Sequence, residues 1–175
     1  SLGVIERRGN RTWVAEQLPD VTVDGNGDTK AFVRQLFETR RALEVPVFAL
    51  AAARADDADR NQVAGLLAQF DRPLSIGEFR RLDREFHTVI ASACRNPLLI
   101  ELYGKVLDQL FRSRDFDALL SSEQNQPEVA RIVAGSIDDH RRIAAAFAAG
   151  DAGAMAAASI QHIDSIEHSM VDHLH

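Results

Sequence analysis

The sequence predicts an all-α protein, an antiparallel bundle of about six helices preceded by a short β-hairpin. Two observations carry the bundle. From Thr29 onward apolar residues recur at three- and four-residue steps, which places them on one face of a helix. Helix start and stop signals also punctuate that stretch: Ser75 with Glu78 three residues on, Asn96-Pro97, and Gly150 followed by Asp151. A third observation sets the hairpin apart. Residues 4–15 alternate β-prone side chains around Gly9-Asn10, a two-residue turn signal.

In chain order, Val4 to Arg8 and Arg11 to Val14 form the two strands. They carry Arg7, Arg8 and Arg11 against the single acid Glu6. An isolated hairpin is marginal in water, so residues 1–18 read as part of something larger. Residues 19–28 are polar and turn-rich and read as a linker. Residues 29–175 form the helical domain. Its first helix is expected over about 30–53, with Phe32, Leu36, Leu43, Val47 and Leu50 inward and a kink at Pro46, which lacks a backbone donor. The second runs about 57–70 from the Asp56-Asp57 cap and ends at Arg72-Pro73. The third follows Ser75, with Phe79, Leu82, Phe86 and Ile90 on one face. Asn96-Pro97 starts the fourth, to about Arg114; residues 115–126 read as a polar loop. The fifth runs about 127–149, and the sixth from Asp151 to about Asp172. Short connections make consecutive helices antiparallel neighbours.

Bulk properties remove several classes. Net charge is −6, so most of the chain is no electrostatic nucleic-acid binder. Apolar content of 46% and charged content of 26% are ordinary for a soluble globular domain. The single cysteine, Cys94, allows no intrachain disulfide, which fits a cytoplasmic location. No apolar run reaches the roughly 18 residues of a membrane span. The first residues lack the apolar core of a signal peptide.

Four side chains interrupt the apolar stripes. Asp83 and His87, one turn apart, sit at the edge of the third helix's inner face. His140 falls among Val133, Ile137, Ile143 and Phe147, and His162 among Met155, Ile163, Ile166 and Met170. Any one such histidine is ordinarily a core residue satisfied by a backbone carbonyl. Three with an aspartate, on three helices, are costly to bury unless they share a partner. A divalent metal is such a partner, and imidazole with carboxylate suits zinc, iron, nickel or manganese. His168 lies off the stripe, and His173 and His175 near the chain end; these read as surface residues. Arg40 is a further anomaly, lying between Leu36, Leu43 and Val47. It either pairs with Glu44 one turn on or offers its fork to a ligand carboxylate.

In order and spacing the chain resembles a known family. The residues are Phe37-Glu38-Thr39-Arg40-Arg41-Ala42-Leu43-Glu44, Leu50-Ala51-Ala52, Asp83-Arg84-Glu85-Phe86-His87, Asn96-Pro97-Leu98-Leu99, Asp139-His140-Arg141-Arg142-Ile143, Ala149-Gly150-Asp151 and His162. They resemble the C-terminal effector domain, called FCD, of GntR-type bacterial transcription regulators, over about residues 30–172. Residues 4–15 resemble the wing hairpin of that family's winged helix-turn-helix, which makes Arg7, Arg8 and Arg11 the DNA-contacting remnant. The recognition helix that should precede it is not in the sequence, so the chain reads as a piece of a longer regulator. The resemblance implies an antiparallel bundle that senses a metabolite, forms a homodimer and reaches DNA through the full-length protein. It implies a metal held by Asp83, His87, His140 and His162, against the metal-free branch that binds fatty-acyl-CoA, and an effector role for Arg40. Pro46 departs from the pattern: it stands two residues beyond Glu44, where such a proline more usually follows the Glu directly.

Neutral histidines and one aspartate leave a divalent site at a formal charge of about +1, to which Arg40 adds. A partly filled cationic site favours a small carboxylate effector. The alternative function is a metal-dependent enzyme on a helical scaffold. A hydrolase would need a spare general base, and Asp83 is the only carboxylate that stands out on an inner stripe. A di-metal site would need paired Glu-x-x-His motifs, which the sequence lacks.

Overall fold

The structure, a computed structural model, describes residues 5–8, 11–14 and 29–173. Strands β1 (Ile5–Arg8) and β2 (Arg11–Val14) pair antiparallel, Ile5 opposite Val14 and Arg8 opposite Arg11. The Gly9-Asn10 turn, the linker 19–28 and the side chains of Arg7, Arg8 and Arg11 lie outside what is described.

Among the described residues the rest is helical: α1 (Thr29–Arg54), α2 (Asp57–Leu67), α3 (Ile76–Ser92), α4 (Pro97–Arg112), α5 (Arg114–Ser121), α6 (Gln126–Ala149) and α7 (Ala152–His173). Local chemistry sets the boundaries. Asp56 and Asp59 form a reciprocal capping box at α2, as do Ser75 and Glu78 at α3. Asn96 accepts from the Leu99 N–H ahead of Pro97, the first residue of α4. α6 ends at Gly150, whose φ of 67° is the left-handed conformation that glycine adopts without strain. Asp151 then accepts from the Ala154 N–H and starts α7.

Two expectations are corrected. Among the described residues the bundle has seven helices: α5 occupies most of the stretch read as a polar loop. Ser113 caps it, and Phe116 and Leu120 bury one face. The flanking Arg114, Asp115, Asp117 and Ser121 hid that stripe. Packing is also less sequential than expected. α1, 26 residues long, packs chiefly along α7 and also against α4 and α3, whereas α2, with 11 residues, lies against α3 and α6. Arg60 of α2 donates to the Phe147 and Ala148 carbonyls at the end of α6, at 2.9 and 3.0 Å.

The core has two apolar clusters. One joins Val47, Phe48 and Ala51 of α1 to Val63 and Leu66 of α2, Phe79 to Ile90 of α3, Leu107 of α4 and Phe147 of α6. The other joins Phe32 to Phe37 of α1 to Leu110, Phe116, Val129, Ile163 and Met170. On α1 the residues between them include Arg40 and Glu44, both buried. The candidate site residues lie at this polar waist.

Candidate metal centre

The four-residue step from Asp83 to His87 puts both on one face of α3, pointed at α6 and α7. The inward stripes of those helices bring His140 and His162 to meet them. His87, His140 and His162 are fully buried and Asp83 is 8% exposed. One donor atom from each residue lies within 4.8 Å of the others. Metal–nitrogen bonds of about 2.0–2.1 Å put tetrahedral ligands about 3.4 Å apart and trans ligands about 4.2 Å apart, so the donors stand near ligand spacing.

The hydrogen-bond state of the cluster is unusual for a core. Asp83 Oδ1 and both ring nitrogens of His140 and of His162 are buried without a hydrogen-bond partner. Close approaches exist: Asp83 Oδ1 is 3.1 Å from His140 Nε2 and 3.3 Å from His87 Nε2. His162 Nδ1 is 3.4 Å from Asp139 Oδ2. None of the orphaned atoms has hydrogen-bond geometry. Each such group costs about 1–3 kcal/mol when left unpaired. Neutral imidazole nitrogens and a carboxylate oxygen converging without protein partners fit a divalent cation.

Electrostatics favour the required protonation states. Burial holds the His162 imidazole down at about 4 and also lowers His140, so both are neutral at pH 7. Burial alone would raise the Asp83 carboxyl; the facing His140 and His87 outweigh it and keep that group well below the usual carboxylate range. His87 moves the other way. Burial would lower it, but the Glu44 carboxylate raises it above the ordinary histidine value.

A second buried layer surrounds His87. Arg40 donates from Nε to Glu44 Oε2 at 2.6 Å, and the Tyr103 hydroxyl donates to the same oxygen at 2.6 Å. Arg40 Nη2 lies 3.2 Å from His87 Nε2 and 3.4 Å from Nδ1. Near-equal distances to both ring nitrogens place the guanidinium against the ring, not along one lone pair. On the far side of the centre Asp139 is held by an ion pair with Arg142. Sequence reasoning took Asp83 as the inner carboxylate. Glu44 and Asp139 are buried beside it, and both are engaged by arginines, so neither is a spare base. Of these outer residues only Glu44 left a signal, as the i+4 partner of Arg40. His168 is exposed and pairs with Asp172.

A largely apolar cleft of about 490 Å³, open mouth included, meets the centre at Asp83. Phe37, Phe79, Phe111, Phe116 and Ile166 form much of its wall, with Arg40, Asp83 and Arg80 as charged groups. Arg80, half-buried, pairs with Asp117 of α5.

The described residues thus form an all-α bundle with a buried His/Asp donor set and a cleft beside it, and no described helix is long and apolar enough to cross a membrane. The chain belongs to the FCD domain family of GntR-type regulators, the FCD domain matching residues 35–165. It is 30% identical over 139 residues to the HTH-type transcriptional regulator LutR of Bacillus subtilis (strain 168), covering 79% of this chain. The chain spans 62% of that relative's length. Its fold is shared with a solved Streptococcus agalactiae GntR structure, with a TM-score of 0.64, 23% identity, and coverage of 96% of this chain and 76% of the other.

Proposed function

We propose that this chain is the sensing domain of a metabolite-responsive, DNA-binding transcription regulator, not an enzyme. It binds a divalent metal through Asp83, His87, His140 and His162 and a small carboxylate effector beside it. The observation that carries the reading is the set of orphaned, buried donors at ligand spacing. The bound ion supplies positive charge at the inner end of an apolar cleft. Arg40 and Glu44 cancel formally, so ion and Asp83 leave the centre near +1, which favours an anion. The hydrogen bonds of Arg40 run through Nε and Nη2, which leaves Nη1 to meet an acid in the cleft.

Residues 1–18 are proposed as the wing remnant of the DNA-binding domain, with Arg7, Arg8 and Arg11 touching phosphates, and 19–28 as the linker to the sensing domain. DNA is bound through the full-length protein, as a homodimer in the cytoplasm. Effector binding joins several helices at once, so occupancy shifts their packing and moves the attached DNA-binding domain.

A thermal-shift screen of mono-, di- and tricarboxylates, with and without chelator, tests this. A stabilising acid is expected, and its effect weakens in Arg40→Ala and in metal-free protein. An acid acting equally well without metal and without Arg40, or no active acid, contradicts the reading.

A further inference from the structure

The buried layer behind His87 does more than fill space. Glu44 is paired with Arg40 and carries no proton, so it only accepts. Tyr103 must therefore donate to Glu44 Oε2, over 2.6 Å. That spends the one hydroxyl proton, so the Tyr103 oxygen meets His87 Nδ1, 3.1 Å away, as an acceptor. His87 Nδ1 must carry a hydrogen, which in the neutral ring leaves the lone pair on Nε2. Nε2 is the nitrogen that lies 3.3 Å from Asp83 Oδ1 at the centre.

We infer that Tyr103 is a positioning residue for the metal site: the chain Arg40–Glu44–Tyr103 fixes His87 as the Nδ1–H tautomer with Nε2 aimed at the ion. Tyr103 stands on α4, a helix that supplies none of the four donors. Its ring is held edge-on against Phe48, centroids 5.8 Å apart, and Phe48 also packs on His87 at 5.5 Å. The hydroxyl is thus placed by a rigid apolar contact and needs no metal to hold it. The two other histidines lack such a device, since their ring nitrogens have no hydrogen-bond partner. The same chain ties His87 to Arg40, so an acid that draws Arg40 away from Glu44 also loosens the orientation of a metal ligand. Outer partners of this kind are typically worth 10–100-fold in metal affinity.

This inference rests on the metal reading above, and the test separates the two. Imidazole nitrogen shifts of ¹⁵N-histidine-labelled, metal-stripped protein report each tautomer directly. At alkaline pH, where the ring is neutral, wild type is expected to show His87 as Nδ1–H. Tyr103→Phe keeps the ring and removes the acceptor, so His87 should no longer be confined to that tautomer. Zn²⁺ affinity, measured by competition with a chromophoric chelator, should fall about 10–100-fold in Tyr103→Phe, more than any change in metal-free melting explains. His87 found as Nε2–H in wild type, or a Tyr103→Phe protein that binds Zn²⁺ as wild type does, overturns the positioning role. A wild type that binds no Zn²⁺ yet shows the Nδ1–H tautomer defeats the metal reading instead, and with it the purpose assigned to Tyr103.

Discussion

His87 and His140 face the same aspartate oxygen from opposite surroundings. His87 is set by polar partners: the Tyr103 hydroxyl at 3.1 Å, Glu44 behind it, and the Arg40 guanidinium against its ring. His140 is set by shape. The rings of Phe86, Phe70 and Phe79 surround it with centroids at 4.7, 5.1 and 6.4 Å, and neither of its nitrogens has a hydrogen-bond partner. One imidazole is oriented by hydrogen bonds, the other by packing. Removing the first therefore strands Tyr103 and Glu44, whereas removing the second takes two unpaired nitrogens out of the core at the expense of Asp83 alone.

The largest effect should come from the layer that supports His87. Arg40→Ala leaves Glu44 fully buried without its cation, and loss of one partner of a buried pair costs about 3–5 kcal/mol. Urea unfolding in chelator measures it. A cost below about 1 kcal/mol, the range of exposed pairs, would show that the Arg40–Glu44 pair is far less isolated from water than its burial implies.

The histidines themselves give the sharper contrast. In metal-free protein, His87→Phe should destabilise by about 1–3 kcal/mol, because Tyr103 loses a partner inside the core. His140→Phe should cost less under the same conditions: a phenyl ring joins three others and two unpaired nitrogens disappear, while Asp83 loses the imidazole 3.1 Å away. Both variants should lose the melting shift that metal gives wild type. Equal destabilisation by the two would erase the distinction.

Much of this was legible in the sequence, for identifiable reasons. Asp83, His87, His140 and His162 announced themselves by interrupting apolar stripes that are regular on either side. The caps at Ser75 and Asn96 are local and carry their own chemistry. Non-local facts left no such trace. Tyr103 is an ordinary aromatic on an apolar helix, and only the packing of α4 on α1 and α3 brings its hydroxyl to Glu44 and His87. Asp138 and Asp139 are adjacent acids, and nothing in the chain says that Asp139 turns inward. α5 shows three apolar residues, Phe116, Leu119 and Leu120, among five polar or small ones, too few to outweigh its charges. Arg40 was legible as an anomaly; both of its readings required Glu44 or a ligand, and the structure pairs it with Glu44.

Acid gives a smaller effect whose sign separates the histidines again. His162, held at about 4, and His140, also lowered, stay neutral while the unfolded chain takes up protons. Stability from them is intact above about 6.5, the ordinary histidine value, and is lost as pH falls toward about 4. His87, raised by Glu44, contributes the opposite way: its stabilisation is present at low pH and lost as pH rises through its folded value. The His87 change falls above pH 6.5, so on acidification from pH 6.5 to 4 the loss from His162 and His140 stands unopposed and metal-free protein becomes less stable. Thermal melts across that window should show a shallower loss in His140→Phe than in wild type. An identical slope would mean that His140 titrates in the folded protein as it does in the unfolded chain.

The central claim is that this waist is built around an ion. Isothermal titration of metal-stripped protein, prepared without a histidine tag, with Zn²⁺ tests it most directly. The account predicts saturable binding of about one ion per chain, stabilising the fold by mass action, and loss of that binding in His140→Phe. No saturable heat in wild type, or the same binding in His140→Phe, would contradict it.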